Sequence, residues 1–251
     1  MSKVKFAVLG CGRIGQKHIK YINLNPKAHL VAVSDTKIND IDIEYKIENK
    51  FTNVDELLSS HIDVDIINIA TPNGSHAEHA IKCLESLKHV IIEKPMALSK
   101  IDAEKIIKIS INKNKKVFVV MQNRYSPKIN FLKKLIDENK LGKIFFINAN
   151  CFWNRNENYY NNHEWHGNKN NDGGVLYTQF SHFIDAIYWL FGDFNKINTN
   201  LQKFTNYDKL DFEDTGTINF ELSNGGIGII NFTIATFKKH FESSISILGE
   251  K

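Results

Sequence analysis

Over roughly the first 120 positions, short continuously apolar runs alternate with amphipathic stretches. The pattern predicts strands over residues 3–9, 29–34, 63–70, 89–93 and 117–121. Between them it predicts helices over 14–23, 54–60, 76–87 and 100–114. Ser99 has the residue type and position of an N-cap for the last helix, with Ile101, Ile106 and Ile109 as its apolar stripe. Thr71-Pro72-Asn73-Gly74 is turn chemistry at the end of an apolar strand. Buried-type strands separated by helices imply a parallel sheet covered on both faces.

After about Gln122 the period changes. An amphipathic helix is predicted over 127–139 and a long apolar helix over 174–191. Longer strand-like runs span 144–153, 195–204, 215–221, 227–236 and 243–248. Thr217-Ile218-Asn219-Phe220-Glu221-Leu222 alternates apolar with polar, and Asn224-Gly225 between two runs is a hairpin signal. The fold class expected is therefore α/β: an N-terminal Rossmann domain over 1–121, then an α+β domain with a mostly antiparallel open sheet over 122–251.

Composition narrows the classes without naming one. Hydrophobic residues make up 42% and charged residues 24% of the 251, a globular balance rather than a disordered one. No apolar run approaches the ~18 residues a membrane span needs, and residues 1–5 lead into a strand without a secretory h-region. Cys11, Cys83 and Cys151 are odd in number and far apart, which fits reduced thiols and a cytoplasmic location. The net charge is +4, with acids scattered among the lysines, which disfavours nucleic acid as a partner. Of 32 basic residues only Arg13, Arg124 and Arg155 are arginine. In such a chain each arginine is a candidate for planar, bidentate recognition that lysine cannot copy.

The candidate chemistry begins at Gly10-Cys11-Gly12-Arg13-Ile14-Gly15, a G-x-G-x-x-G between a strand and a helix. The first glycine permits the tight turn, the second a close backbone approach to a pyrophosphate, and the third close helix–strand packing. Asp35 follows Gly15 by twenty residues, at the end of the second strand, where an acid accepts hydrogen bonds from ribose hydroxyls. An acid there repels a 2′-phosphate, so NAD is favoured over NADP. Arg13 can stack on adenine or pair with phosphate.

Glu93-Lys94-Pro95 ends the fourth long strand, on the side where a Rossmann sheet faces its cofactor. Partial desolvation or a nearby positive ring can lower a lysine pKa, fitting Lys94 to accept or return a hydroxyl proton. A peptide bond before Pro95 is trans by default, although a cis bond would suit the turn. In Gly173-Gly174-Val175-Leu176-Tyr177-Thr178-Gln179-Phe180-Ser181-His182-Phe183-Ile184-Asp185, one helix would place Thr178, His182 and Asp185 on a single face. Residues 152–160, with Trp153, Arg155, Tyr159 and Tyr160, and then Trp165-His166-Gly167, combine rings with hydrogen-bonding groups. Such surfaces suit sugars or a nucleobase, and Arg155 can clamp a carboxylate or a diphosphate. His76-x-x-His79 and His163-x-x-His166 lack a local cysteine or an evident third ligand, so no metal site is expected.

Together the glycine loop, Thr71-Pro72-Asn73 with His76, Glu93-Lys94-Pro95, Gln122-Asn123-Arg124-Tyr125 and the Gly-Gly…His182-x-x-Asp185 segment resemble the Gfo/Idh/MocA oxidoreductases, in order and spacing, over essentially the whole chain. The resemblance implies hydride transfer between NAD and a secondary alcohol or ketone of a sugar, polyol or nucleotide sugar. It implies that Lys94 and His182 flank the reacting carbon, and that Thr71, Pro72 and Asn73 lie by the nicotinamide ribose. His76, Glu93 and Gln122 are expected on the cofactor side. Arg124, Tyr125, Arg155, Tyr159, Trp165, Thr178 and Gln179 are expected on the substrate side. The Thr-Gln…His variant with its aromatic stretch is similar to nucleotide-sugar dehydrogenases of surface-polysaccharide pathways, including those acting on UDP-N-acetylglucosaminuronate. A homodimer or homotetramer through the second sheet is the implied assembly.

Three departures modify that expectation. Thr178 stands where many members carry an acid, which removes an Asp–His relay. Phe180 replaces a frequent glycine and is expected to narrow or reshape the pocket, while its place with Phe183, Ile184 and Ile187 on the opposite stripe of the segment predicts core. Family chains usually continue well past Gly249-Glu250-Lys251, so the second sheet is expected to lack its closing strands. A catalytically silent, NAD-responsive regulatory or binding protein on the same fold is the alternative to an enzyme.

Overall fold

A computed structural model describes residues 2–251, and the chain divides between Val120 and Met121 into two compact units. The first unit runs β1 (Val4–Leu9), α1 (Arg13–Leu24), β2 (Ala28–Ser34), β3 (Asn49–Phe51), α2 (Val54–Ser59) and β4 (Ile66–Ile69). It continues through α3 (His76–Glu85), β5 (His89–Glu93), α4 (Lys100–Asn112) and β6 (Val117–Val120). Its six strands form one sheet in the order β3-β2-β1-β4-β5-β6, every neighbouring pair parallel. The strand order reverses beside β1, which creates the crevice at the strands' carboxyl ends where α/β sheets hold ligands. Ala7, Val8 and Leu9 of β1 are buried, and α1 turns Gly15, Ile19 and Ile22 inward, spaced four and three residues apart.

Two details differ from the sequence pattern. Ser99 does cap α4, its side-chain oxygen accepting the Asp102 N–H at 3.0 Å, and Ile106 and Ile109 of the expected stripe pack inward, but Ile101 does not. Ile106 is fully buried whereas Ile101 is 78% exposed, because five residues of helix place the two nearly opposite each other. β3 went unforeseen: Asn49-Lys50-Phe51 is a three-residue edge strand, too short and polar to show a period.

The second unit runs α5 (Pro127–Asp137), β7 (Ile144–Phe152), α6 (Glu157–Asn161), α7 (Lys169–Asp172), α8 (Val175–Thr178) and α9 (Ser181–Phe191). Four strands follow: β8 (Phe194–Gln202), β9 (Thr215–Leu222), β10 (Ile227–Thr233) and β11 (Glu242–Gly249). The sheet order is β11-β7-β10-β9-β8, antiparallel except for the parallel pair β7–β10. The Asn224-Gly225 hairpin closes as expected, with Gly225 at φ +90° and the Leu222 N–H donating to Gly226 O at 2.7 Å. Alternation buries Ile147, Ala149, Cys151, Ile218, Phe220, Ile230 and Phe232 on one face of the sheet, in a core that also holds Phe180 and Ile187. The other face carries a polar ladder: Asn231 donates to Asn148 and Asn150, and Asn150 donates to Glu242.

The expected helix over 174–191 is two helices. The N–H groups of Gln179 and Phe180 both donate to Val175 O, and Phe180 sits at φ −96°, ψ −4°, outside regular helix. Its ring is fully buried, 5.4 Å from Trp153 and 5.2 Å from Phe232 between ring centroids. Core packing of that ring thus coincides with the break between α8 and α9. Phe180 thus fills core, as the apolar stripe it shares with Phe183, Ile184 and Ile187 predicts.

Candidate functional site

At the glycine loop each glycine meets a different constraint. Gly10 is at φ +90°, and a Cβ there would stand 2.6 Å from the Ala70 backbone. A Cβ on Gly15 would lie 1.9 Å from Gly10 O. Gly12 has nothing within 4 Å of the Cβ position, and no side chain caps α1, whose first turn begins there. The loop therefore leaves open the space a pyrophosphate needs, beside uncapped N–H groups at the positive end of a twelve-residue helix. Arg13 is exposed and Ile14 half-buried at that end.

Asp35 follows β2 and is tied to the loop. Its Oδ2 accepts the Cys11 N–H at 2.7 Å and its Oδ1 the Lys37 N–H at 2.9 Å. A carboxylate offers about four acceptor positions, so capacity for a diol remains. Burial, then the charge of Asp35, pushes the Cys11 thiol up to about 12, and it lies 3.8 Å from Ser34 O as a neutral donor. The residues present fit a dinucleotide whose ribose diol meets an acid.

The Thr71-Pro72-Asn73 turn and the Glu93-Lys94-Pro95 turn are joined by a buried histidine. His76 Nδ1 lies 2.7 Å from Pro95 O and its Nε2 lies 2.8 Å from Thr71 O. Burial pushes the His76 pKa down, against the pull of the two carbonyls. Thr71 Oγ1 contacts His79 Nδ1 at 3.0 Å, and Asn73 is buried. The Lys94–Pro95 bond is cis, and Lys94 is half-buried.

A partner of this turn was missed in the sequence. His18 Nε2, on α1, is 2.9 Å from Glu93 Oε1, while Asn68 Nδ2 is 2.8 Å from His18 Nδ1. Glu93 Oε2 also accepts the Lys94 N–H at 3.3 Å. Thus β4, α1 and β5 together hold the backbone on which Lys94 stands. A lone histidine in Lys17-His18-Ile19-Lys20 has no local feature separating it from a solvated surface residue.

In the second unit, His182 at the start of α9 contacts Gln122, Nε2 to Nε2, at 3.4 Å. Thr178 and Asp185 do not join it on one helical face. The buried Thr178 hydroxyl donates to Asp172 O at 3.0 Å and to the Asp172 carboxylate, which also accepts the Gly167 N–H. Asp185 takes the Arg124 fork, accepting from Nε at 2.9 Å and from Nη2 at 2.6 Å. Arg124, expected at the substrate, is thereby engaged within its own unit. Tyr125 is 84% exposed.

The aromatic stretch gathers into one cluster. The Arg155 guanidinium lies 5.3 Å from the Trp153 ring and 4.9 Å from the Tyr159 ring. Gln179, almost fully buried, donates to the Tyr159 hydroxyl at 3.2 Å. Tyr159 stacks on His166, and Trp165 stands edge-on to the same imidazole. His240, absent from the sequence reading, approaches Arg155 Nη1 at 3.4 Å. It follows two lysines, so the sequence presents it as part of a basic surface turn. Among the described residues no three of His, Cys, Asp or Glu stand together as a metal site, and no helix is long and apolar enough to cross a membrane.

A Rossmann sheet with an open glycine loop and an acid hydrogen-bonded to that loop, followed by a second α/β unit, defines the class of pyridine-nucleotide oxidoreductases. Residues 4–121 match the family described as oxidoreductase, NAD-binding Rossmann fold, and residues 129–251 match the Gfo/Idh/MocA C-terminal domain. The chain belongs to the Gfo/Idh/MocA oxidoreductase family. It is 30% identical to glucose-6-phosphate 3-dehydrogenase of Bacillus subtilis over 98% of its own length and 72% of the relative's. It is 24% identical to an inositol 2-dehydrogenase/D-chiro-inositol 3-dehydrogenase of Halalkalibacterium halodurans, over 99% of this chain and 70% of that one. The crystal structure of the WlbA dehydrogenase from Bordetella pertussis, with NADH and UDP-GlcNAcA, superposes with a TM-score of 0.94 at 32% identity. That match covers 100% of this chain and 72% of the other.

Proposed function

We propose that this chain is an NAD-dependent dehydrogenase acting on a secondary alcohol, or the matching ketone, of a sugar or nucleotide sugar, in surface-polysaccharide biosynthesis. The observation that carries the reading is the open Gly12 position at an uncapped helix end, with Asp35 tied to the same loop. When bound, the nicotinamide cofactor supplies acceptance or return of a hydride. The N–H groups of Gly12, Arg13 and Ile14 hold the pyrophosphate, Gly10 and Gly15 keep the loop tight, and Asp35 binds the ribose diol. Thr71, Pro72, Asn73, Glu93 and Gln122 flank the nicotinamide half, with His76 fixing the two turns. Lys94 Nζ takes or returns the hydroxyl proton, and His182 is the second proton-handling group. Arg155, Tyr159, Trp165 and Gln179 line the sugar, with Tyr125, Thr178 and Arg124 supporting them.

We place the protein in the cytoplasm, as a homodimer or homotetramer packed through the Asn-bearing face of the second sheet. The test follows cofactor absorbance with purified sugars and nucleotide sugars. Lys94→Ala and His182→Ala are each expected to lower turnover by about 10²–10⁴-fold. Unchanged turnover in both would overturn the assignment of the proton-handling groups. NAD binding with no cofactor reduction across the panel would favour a silent NAD-responsive protein instead.

A further inference from the structure

Asn68 interrupts an apolar strand: β4 reads Ile66-Ile67-Asn68-Ile69, and Asn68 is 3% exposed. A buried amide is costly unless its groups are paired. Its Nδ2 donates to His18 Nδ1 at 2.8 Å, but its Oδ1 finds no partner. Stability alone gives no reason for an amide with an unmet acceptor where every other residue of the strand is isoleucine. Register shows what it serves. Asn68 pairs with Ile91 of β5, and alternation puts Glu93 on the same face of the sheet as Ile91. α1 brings His18 to both residues, and the His18 and Glu93 side chains are each 14% exposed.

The two neighbours of the imidazole demand the same tautomer. An amide nitrogen can only donate, so His18 Nδ1 carries the lone pair. A carboxylate accepts, so Nε2, 2.9 Å from Glu93 Oε1, carries the proton. With the amide turned the other way, Nδ1 would be protonated too, and the bond to Glu93 would stand unchanged. The donors therefore run from Asn68 to His18 and end on the carboxylate. Glu93 Oε2 accepts the Lys94 N–H at 3.3 Å. A carboxylate offers about four acceptor positions, more than these two bonds use. The carboxylate is thus held from two sides with capacity for further donors.

We propose that His18 is a positioning residue for the nicotinamide half of the cofactor, fixing the Glu93 carboxylate so that its open acceptor positions meet the ribose hydroxyls of that half. This rests on the NAD-dependent reading above, in which Glu93 flanks the nicotinamide half. His18 stands six residues after Gly12, about 9 Å along the helix axis at 1.5 Å per residue. One helix therefore carries both the open pyrophosphate end and the side chain that holds Glu93. In this role His18 acts through Glu93, and Asn68 acts through His18 by fixing its ring.

The test compares calorimetric affinities of the full chain for NADH and for ADP, which shares the adenosine and diphosphate but lacks the nicotinamide half. His18→Asn keeps an acceptor beside Asn68 but is too short to reach Glu93. It should weaken NADH about tenfold, the scale of a hydrogen bond to a charged group, and leave ADP within about twofold. His18→Gln, long enough to place an amide N–H near the Nε2 position, should recover most of the NADH affinity. Glu93→Gln should show the same split, and adding His18→Asn to it should cost little more, because the two residues act as one unit. Equal weakening of NADH and ADP by His18→Asn overturns the proposal and makes His18 a support of α1 alone. Native NADH affinity in His18→Asn, or no gain from His18→Gln, also overturns it, and each of these leaves the dehydrogenase reading standing. Should His18→Asn fail to fold, Glu93→Gln decides, and equal loss of both ligands, or of neither, overturns the proposal. Failure of the native protein to bind NADH overturns it together with the dehydrogenase reading.

Discussion

Two alanine substitutions in one loop should separate folding from cofactor binding. At Gly15 the added Cβ would lie 1.9 Å from Gly10 O, a backbone atom, so ordinary contact requires about 1.5 Å of movement between α1 and the end of β1. Overpacking of this kind costs about 1–3 kcal/mol or more. For a unit of this size that is a fall in Tm of roughly 4–15 °C. At Gly12 the backbone is at φ −67° and no atom lies within 4 Å, so alanine fits the free protein. Stability should hold or rise by about 0.4–1 kcal/mol, because the unfolded chain loses freedom. NADH affinity should nevertheless fall at least tenfold, since the methyl occupies the space through which the pyrophosphate approaches the helix end. Thermal melting and NADH fluorescence titration read the two effects separately. Native NADH affinity in Gly12→Ala would refute the loop as the pyrophosphate site. A native Tm in Gly15→Ala would refute the packing argument.

Asp35→Ser should weaken NAD and narrow the preference over NADP, by about tenfold for a lost charge-assisted hydrogen bond, as read by comparative titration of the two cofactors. Its loss also frees the Cys11 N–H, so a small drop in Tm should accompany it. Phe180→Ala should cost about 3–5 kcal/mol, because a fully buried ring against Trp153 and Phe232 leaves a cavity; denaturant unfolding measures it. Burial depresses the His76 pKa below its ordinary 6.5, so the unfolded chain binds the proton more readily than the fold does. Its contribution is full above about pH 6.5 and is lost as the pH falls below that value. Tm should drop through that window, and His76→Gln should flatten the slope.

How much of this was readable in the letters depends on the range of the interaction. The first unit's strands and helices follow from local periodicity, and Ser99 reads as a cap because its bond to Asp102 spans three residues. The glycine loop was legible for the same reason: six consecutive residues carry the whole constraint. The break between α8 and α9 was not. Helical periodicity runs unbroken through Gln179-Phe180, and the chain departs from it where the Phe180 ring packs with Trp153, twenty-seven residues earlier, and Phe232, fifty-two later. Propensity has no access to such partners.

The same rule sorts the site residues, and it explains why the arginines diverge. Arg124 and Arg155 look alike in sequence: each is a rare arginine beside aromatic residues in a polar segment. Only tertiary pairing distinguishes them. Asp185, on α9, meets Arg124 with both carboxylate oxygens, a match that holds the turn after β6 against that helix. Arg155 meets rings and donors instead, and the one imidazole that reaches it comes from beyond β10. His18 is the parallel case in the first unit, where an unremarkable helix residue becomes the partner of Glu93 only when β5 lies within reach of α1. A motif identifies residues whose partners are near in sequence or belong to the ligand. Residues whose partners lie elsewhere in the chain, such as His18, Asp172 and His240, become visible only when the fold brings those partners together.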